Sequence, residues 1–408
     1  MDYEHLTSDT QIISKELAEM SGCLYSIVKN QLRDGVTKII IEDGAVMVGW
    51  ELLRDCTEIT SVTIPNSVKV IADGAFEGCT SLAEITIPDT VSDFGKNPFK
   101  DTPWRESHTE DFFIAGDGVL LEYQGTDEIV VIPNSVKKIG CLAFMLNNTI
   151  TSVVIPDSVT EISENAFTMC ENLEDITIPS SVTKIITVPI KGCFYKTPWF
   201  ENCKEDFLIV GDGILLKYSG SDTKVIIPDT VKKISMGAFE QAEQVEEICA
   251  GDSVEYIEGY AFRQTEWFKK HTGDFVIAGG ILVDYRGSDE NVVIPDNVRG
   301  IGECAFAQKP VKNVTIPDSV TFIGNFAFGE CSALKSVLIP NSVEFIGTAA
   351  FQCCDSLESV IIPESVKKIG EVAFSYCDNL NDVSILGTDV KIGMKAFIKK
   401  EQCVMPNA

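Results

Sequence analysis

Histidine offers the clearest prospect of metal or acid–base chemistry in this chain, and it occurs only three times in 408 residues. His108 and His271 occupy equivalent positions in two similar segments, and Cys203 holds that position in a third. A zinc site needs its ligands within a few ångströms of one another. These residues lie far apart along the sequence, with no Cys-x-x-Cys or closely spaced histidine pair beside them. We therefore predict solvated polar residues, with no metal site and no cofactor.

Two Gly-Asp-Gly triplets, at Gly116–Gly118 and Gly211–Gly213, invite comparison with a phosphate-binding loop. That loop requires a following Lys-Ser/Thr, or it opens a helix, whereas apolar β-type residues follow here. A hairpin turn is the better interpretation. The frequent serines stand mostly in turns, and no nucleophile elbow or Ser/His/Asp set is visible. The chain is therefore predicted not to be an enzyme, with a carboxylate hydrolase as a remote alternative.

The charge composition of the chain indicates which classes of partner it is suited to bind. The formal net charge is −28, from 33 basic and 61 acidic residues. Nucleic acids and anionic membranes are disfavoured, because phosphate binding needs clustered Lys and Arg. Apolar residues make up 45% of the chain, which is typical of a folded protein. No apolar run reaches the length of a transmembrane helix.

The elements that position these residues repeat with a period of about 23 residues. An Ile-Pro step sets the register, and the intervals between successive positions are 22 or 23 residues in nine cases of twelve. Such a period is the signature of a solenoid. The thirteen register positions are Glu42, Pro65, Pro88, Pro133, Pro156, Pro179, Pro228, Gly251, Pro295, Pro317, Pro340, Pro363 and Leu386.

One regular repeat, from Leu334 to Cys354, shows the physics of a rung. The segment around Val337 alternates apolar and polar residues, as a half-buried strand does. Pro340 ends the strand and begins a turn, because proline cannot donate to a ladder. An Ala-Phe pair at Ala350–Phe351 fills the interior, and the same pair recurs in most rungs. Parallel strands of successive rungs should therefore pair, and the phenylalanine rings should stack.

Cysteine follows the same period. Of 14 cysteines, seven recur at one rung position. A small residue that returns at a fixed place in every rung is core filler, so we predict mostly free thiols. The seven are Cys56, Cys79, Cys170, Cys193, Cys331, Cys354 and Cys377.

The chain divides into three predicted regions. Residues 1–35 form an N-terminal helical cap, because Ser8, Asp9 and Thr10 precede apolar residues at helical spacing. Residues 36–397 form the solenoid, and 398–408 form a C-terminal tail. Three long rungs carry similar inserts, at about 99–127, 194–222 and 262–289. Their Phe-x-Ile, glycine and Leu-x-Tyr segments predict β-hairpins.

The rung pattern LxxVxIPxSVxxIGxxAFxxC resembles the BspA-type leucine-rich repeat of bacterial surface proteins, which some parasitic protists also contain. The insert pattern TPWxxxxxxDFxIxGDGxLLxYxG is similar to one in such proteins from gut anaerobes. The resemblance covers about residues 36–397. It implies a β-rich leucine-rich-repeat solenoid of the α/β class, with parallel strands in about 13 rungs. It also implies a surface or secreted protein that binds host or matrix proteins.

Two sets of residues are candidates for partner binding. The outward positions of the rung strands form the generic binding face of a solenoid, and the insert tryptophans are candidate anchors if exposed. A tryptophan that packs under its own hairpin is the alternative. The candidates are Ser61, Thr63, Glu84, Thr86, Asp175, Thr177, Asn313, Thr315, Ser336, Leu338, Ser359, Ile361, Trp104, Trp199 and Trp267.

The residue after each register position is usually Asp, Asn or Glu. Turn chemistry explains most of this row, although stacked carboxylates are also suited to weak divalent-cation binding or a basic partner. The row comprises Asp43, Asn66, Asp89, Asn134, Asp157, Ser180, Asp229, Asp252, Asp296, Asp318, Asn341 and Glu364.

The leading functional hypothesis is a non-catalytic binding scaffold at the cell surface or secreted, with a protein or polysaccharide ligand. An intracellular interaction scaffold stays open. The first 20 residues lack the basic segment and apolar core of a secretory signal, so the cytoplasm is a possible location. The sequence does not name the ligand.

Overall fold

The computed structural model describes residues 7–19, 32–187 and 192–399. The chain divides into two compact units, Met1–Cys203 and Lys204–Ala408. Each unit is a stack of parallel-stranded rungs, so the predicted β-rich solenoid is confirmed. A regular rung has one strand that ends just before the register position, here called the front strand. A two-residue strand follows the turn, here called the back strand.

The front strands pair in parallel with those of neighbouring rungs, except where a sheet is interrupted. They are Thr10–Ile13, Lys38–Ile41, Ser61–Thr63, Glu84–Thr86, Ile129–Val131, Ser152–Val154 and Asp175–Thr177 in the first unit, and Lys224–Ile226, Glu247–Cys249, Asn291–Val293, Asn313–Thr315, Ser336–Leu338, Ser359–Ile362 and Asp382–Ile385 in the second.

The back strands form separate parallel sheets. They are Met47–Val48, Val70–Ile71, Asp93–Phe94, Lys138–Ile139, Glu161–Ile162 and Lys184–Ile185 in the first unit, and Lys233–Ile234, Tyr256–Ile257, Gly300–Ile301, Phe322–Ile323, Phe345–Ile346, Lys368–Ile369 and Lys391–Ile392 in the second.

Equal rung length keeps paired residues at the same rung position. Asn313 pairs with Ser336, Val314 with Val337, and Thr315 with Leu338. The middle residue faces the core, so Val314 and Val337 are buried while both outward neighbours of Val337 are exposed. Alternation along each front strand therefore separates a dry interior from an accessible outer face.

The predicted phenylalanine stack is confirmed. In the second unit the rings of Phe328 and Phe351 lie 5.0 Å apart and nearly parallel, and those of Phe351 and Phe374 lie 4.9 Å apart. In the first unit Phe144 stacks on Phe167 at 4.8 Å. The spacing matches that of paired strands, because each ring belongs to one rung.

A ladder of buried thiols runs beside the rings. Cys331 Sγ donates to the carbonyl oxygen of Phe306 at 3.0 Å, and Cys377 Sγ donates to that of Phe351 at 3.0 Å. Burial raises the pKa of the Cys331 thiol to about 12. No disulfide joins the cysteines in the described ranges, in agreement with the prediction of mostly unoxidised thiols. The thiolate is the reactive form, so these side chains act as inert core filler.

Glycine follows several back strands for a steric reason. A Cβ atom at Gly347 would collide with the main chain of Gly324 and Asn325 in the preceding rung, and one at Gly370 would collide with Gly347 in the same way. Neighbouring rungs thus approach backbone to backbone at this position, which needs a residue without a side chain.

The prediction of a wholly helical N-terminal cap is wrong for the part that the structure describes. Thr10–Ile13 is a strand that pairs with Lys38–Ile41 and adds a front strand to the thirteen expected. A single helical turn, Lys15–Ala18, follows, with Ser14 accepting from the Leu17 N–H as N-cap. Pairing with an otherwise open sheet edge outweighs local helical periodicity. Residues 1–6 and 20–31 of the predicted cap and 400–408 of the predicted tail lie outside the described residues.

The three inserts are β-hairpins, as predicted. Gly116 and Gly118 both have positive φ, so the first turn uses the left-handed backbone that glycine adopts freely. Phe112–Ala115 pairs antiparallel with Val119–Tyr123, Phe207–Val210 with Ile214–Tyr218, and Phe275–Ala278 with Ile281–Tyr285. One-turn helices precede them at Pro103–Glu106, Pro198–Glu201 and Glu266–Lys269.

Each hairpin also joins the stack. Val119 and Leu120 pair in parallel with Lys138 and Ile139, so the second hairpin strand acts as a back strand. The ring of Tyr123 stacks on Phe144 at 5.2 Å and takes the place of a rung phenylalanine. An insert therefore adds one turn to the back sheet, and turns outnumber the 13 rungs predicted.

Candidate binding surfaces

The front strands present one outward row on each side of the buried middle residue. Most predicted partner-binding residues on these strands are exposed, and Ser61 and Thr63 are half-buried. The exposed members are Glu84, Thr86, Asp175, Thr177, Asn313, Thr315, Ser336, Leu338, Ser359 and Ile361. Within each sheet, paired strands hold these residues at fixed spacing. Their role in binding stays a proposal.

In the second unit the two rows differ in chemistry. Asn313 Nδ2 donates to Asn291 Oδ1 at 2.6 Å, and Ser336 Oγ donates to Asn313 Oδ1 at 2.9 Å. The other row carries Val293 and Leu338, both 69% exposed, with Thr315 between them. A hydrogen-bonded polar row thus runs beside a more apolar one, and this combination suits an amphipathic ligand.

The insert tryptophans are half-buried. The ring of Trp104 lies 4.7 Å from Phe99 and 5.6 Å from Phe113 of its own hairpin. Trp199 packs on Phe194 at 4.9 Å, and Trp267 packs on Phe262 at 5.3 Å. In each insert a tryptophan meets the phenylalanine of its rung at a steep angle. These contacts favour the packing interpretation, and the tryptophans as partner anchors remain a proposal.

The two insert histidines serve local structure. His108 Nδ1 lies 2.8 Å from the carbonyl oxygen of Trp104, and His271 Nε2 lies 3.1 Å from that of Phe275. The structure does not bring Cys203 together with them. Across the described ranges, no three His, Cys, Asp or Glu side chains are grouped closely enough to hold a metal ion. The turn carboxylates are exposed, so cation binding there is still a prediction.

A buried carboxylate cluster on the back of the second unit is absent from the sequence predictions. Glu258 accepts from Lys233 Nζ at 2.6 Å, and Glu303 Oε2 lies 3.5 Å from the hydroxyl of Tyr256. Burial raises the pKa of Glu303 to about 7, and the neighbouring Glu258 adds to the shift. Lys233 and a hydrogen bond from the Gly259 N–H act in the opposite direction. The residues come from rungs separated by an insert, so sequence spacing gives no signal for them.

Exposed aliphatic residues at the front strands after the inserts were also missed. Ile129 is 66% exposed, Val131 64%, Ile226 67% and Val293 69%. The signal is visible in the sequence, since each strand follows an insert and ends in a β-branched residue at an outward position.

No helix in the described part of the chain is long and apolar enough to span a membrane.

Stacked parallel rungs, an accessible front face and inert core thiols define a repeat-protein binding scaffold. The model of the BspA type leucine rich repeat region matches residues 30–111, 123–204, 215–272 and 285–403. The chain therefore belongs to the BspA-type leucine-rich-repeat family. The internal stretches that the family model leaves unmatched, 112–122, 205–214 and 273–284, overlap the three hairpins.

Solved structures of bacterial leucine-rich-repeat proteins are similar to this chain. A protein from Eubacterium ventriosum is 21% identical, with 98% of this chain and 92% of that one covered and a TM-score of 0.27. One from Bacteroides ovatus is 21% identical, with coverages of 90% and 77% and a TM-score of 0.27. A leucine rich cell surface protein from Faecalibacterium prausnitzii is 26% identical, with coverages of 86% and 80% and a TM-score of 0.25. No curated protein matches significantly.

Proposed function

We propose that this chain is an adhesion scaffold at the cell surface or in the secreted space, and that it binds a protein or polysaccharide through its front strands. The observation that carries the proposal is the front face of the second unit. There Leu338, 69% exposed, lies beside a polar row on paired strands, and Ile361 of the following front strand is 55% exposed. Family membership supports this function, since such repeats serve as binding scaffolds.

The buried thiols are compatible with an oxidising compartment. Burial raises the pKa of Cys79 and Cys170 to about 12, which suppresses the thiolate that would start disulfide exchange. Free cysteines therefore do not argue for an intracellular scaffold as strongly as their number suggests.

A binding screen tests the proposal. The purified chain is applied to arrays of matrix proteins and glycans, with and without calcium. We expect a hit whose affinity falls at least tenfold in the Leu338→Lys/Ile361→Lys variant. Tyr260→Lys is the matched control, because Tyr260 is 49% exposed but lies outside the front strands. Equal loss in the control, or equal binding by all three proteins, would contradict a front-face site.

Location is tested separately. Antibody labelling of intact source cells, compared with permeabilised cells, should stain the surface or recover the protein from the medium. Staining only after permeabilisation would favour the intracellular scaffold.

A further inference from the structure

The front sheet is interrupted at an insert in each unit, where the second hairpin strand pairs in parallel with the following back strand and no front strand accompanies it. In the first unit the front sheet that ends with Glu84–Thr86 is separate from the one that begins with Ile129–Val131. Between them the hairpin contributes Val119–Tyr123 to the back sheet only. In the second unit the front sheet stops at Glu247–Cys249 and restarts at Asn291–Val293.

One front strand is missing at the interruption. The hairpin turn sits directly on the preceding rung, since the Asp117 N–H donates to the carbonyl oxygen of Val91 at 2.7 Å. One rung without a front strand would leave the flanking front strands two spacings apart, about 9.6 Å. Each flanking strand keeps an edge with no partner strand in its sheet. The insert helix contacts the chain just before Glu84–Thr86, where the Trp104 N–H donates to the carbonyl oxygen of Leu82 at 2.9 Å, and an added strand would pair beyond that point.

Core-facing side chains are open to solvent at these interruptions. In a regular rung such residues are buried, as Val62 is at 1% exposure and Ile64 at 3%. The equivalent Ile85 and Ile87, in the strand before the first insert, are only half-buried. Ile248 shows the same change before the third insert, whereas its neighbour Val225 is 2% exposed. The missing strand therefore leaves apolar surface that an incoming side chain would cover.

The strands that flank each interruption, here called its rims, place charged side chains beside these exposed apolar residues. Glu84 and Glu247 hold the same position in the two strands that precede an interruption, and both are exposed. Ile129 and Val131 stand exposed on the opposite rim of the first interruption. An exposed aliphatic edge strand without a protecting lysine or proline is a template for strand pairing.

We propose that each interruption is a slot that binds an extended segment of a partner polypeptide, which adds a strand to the front sheet. The segment alternates apolar residues that face Ile85 and Ile87 with polar ones that face outward, and it carries a basic residue opposite Glu84. Backbone pairing gives affinity and the alternate side chains give specificity. This inference rests on the proposed function, because the slots open on the front face, but it has its own test.

The probe is a blocked, fluorophore-labelled nine-residue peptide of alternating valine and threonine with one lysine near each end. A matched peptide is N-methylated at alternate amides, which removes the ladder donors of one edge and keeps the side chains. Fluorescence anisotropy measures binding to the full chain. We expect micromolar binding of the first peptide and at least tenfold weaker binding of the second.

The protein variant places lysine on the edge strands of the two slots, as Ile129→Lys/Val131→Lys/Val293→Lys. All three residues are at least 64% exposed, so folding should be preserved. The control, Thr63→Lys/Val154→Lys/Thr315→Lys, adds the same charge to strands paired on both sides. We expect at least tenfold loss in the edge variant and less than twofold in the control.

Absence of binding to the unmodified chain, equal binding of the N-methylated peptide, or equal loss in both variants would overturn the slot. None of these results bears on the array hits that test the proposed function. Conversely, peptide binding without any array hit would leave the slot in place and remove the adhesion proposal.

Discussion

The first and third inserts form hairpins of the same kind. They differ in which side chains of the neighbouring rungs cover the second hairpin strand. In the first unit, Val119 of the hairpin is buried beneath an ion pair, because Lys138 reaches across it to Asp93 at 2.9 Å. In the second unit, Ile281 of the hairpin is buried beneath an aromatic pair, with Tyr256 and Phe322 at 5.6 Å.

The difference extends to the residue beside the hairpin. Lys138 pairs with Val119, whereas glycine, Gly300, pairs with Ile281. A Cβ at Gly300 would collide with the ring of Phe322, so glycine makes room for the aromatic bridge. A buried hairpin residue can thus be covered by an ion pair, as Val119 is, or by an aromatic pair, as Ile281 is. We refer to these two coverings as seals, and the stability that each contributes should respond differently to mutation, pH and salt.

The largest expected effect is at the aromatic bridge. Phe322→Ala should lower the free energy of unfolding of the second unit by about 3 kcal/mol, because the ring packs against the core that contains Ile281. Urea unfolding measures the loss, and hydrogen exchange should show weaker protection in Phe275–Tyr285. Phe345→Ala removes a ring one rung further from the hairpin. Equal loss of hairpin protection in that control would show that the bridge is not specific.

Gly300→Ala should cost about 2 kcal/mol, because the added methyl group displaces the ring of Phe322. Thermal unfolding measures the change. Gly192→Ala is the matched control, since no atom of the described residues lies within 4 Å of a Cβ built there. If both variants unfold at the same temperature, the glycine does not serve the bridge.

The two regions should have opposite pH dependence. The pKa of Glu303 is raised from 4.5 to about 7 by burial and by Glu258. The stability it contributes is complete below pH 4.5 and is lost as the pH rises to about 7, because only the unfolded state readily gives up the proton. The change should be on the order of 2 kcal/mol. Lys233, Tyr256 and Cys304 also face this carboxyl group.

The measurement is the urea midpoint of the second unit between pH 4 and 8. Glu303→Gln keeps the shape and removes the titration, so its midpoint should be flatter with pH. Glu371 holds the equivalent rung position, but its side chain is exposed. Glu371→Gln should therefore keep the pH dependence of the urea midpoint that the unmodified chain shows. An unchanged slope in Glu303→Gln would exclude this cluster as the cause.

In the first unit the pH dependence of stability has the opposite sign. Burial would raise the pKa of Glu161, but Lys184 and Lys138 outweigh it and lower that pKa. Stability from this group is present above its unfolded pKa and is lost as the pH falls through the folded one. Acid unfolding of the first unit should therefore shift to higher pH in Lys184→Met, which removes one of the two cations. Acid titration by circular dichroism tests this, and an unchanged midpoint would contradict it.

The smallest effect is at the ion pair itself. Lys138→Met should lower the stability of the first unit by about 1 kcal/mol, because water solvates the half-exposed Asp93 and Lys184 still pairs with Glu161. The difference from the unmodified chain should shrink in 1 M salt, as screening weakens the pair. Phe322→Ala should show no such salt dependence. Salt-insensitive loss in Lys138→Met would indicate packing by its aliphatic stem instead.

Much of the fold follows from the repeat. Val337 and Phe351 recur at fixed positions, so alternation and period specify strand, turn and interior before any contact is known. The N-terminal strand Thr10–Ile13 could not be predicted in the same way. It lacks the rung pattern and becomes a strand only because Lys38–Ile41 offers an edge to pair with.

Part of the candidate binding surface could likewise be predicted from the sequence, and part could not. Leu338 and Ser336 are outward by alternation, so the sequence locates the front face without naming its ligand. Ile85 gives the opposite case, since its pattern is that of a buried core residue, and only the absence of a neighbouring front strand exposes it.

By itself the sequence determined everything that repeats: the rung, the rings and thiols of the core, the hairpins and the outward faces. Each depends on residues within one period, where local chemistry and alternation suffice. The tertiary structure alone decided the slots in the front sheet, the two seals over the hairpins and the Glu258–Glu303 cluster. These depend on which rungs become neighbours after an insert, and the parallel pairing of the second hairpin strand with the next back strand sets that adjacency.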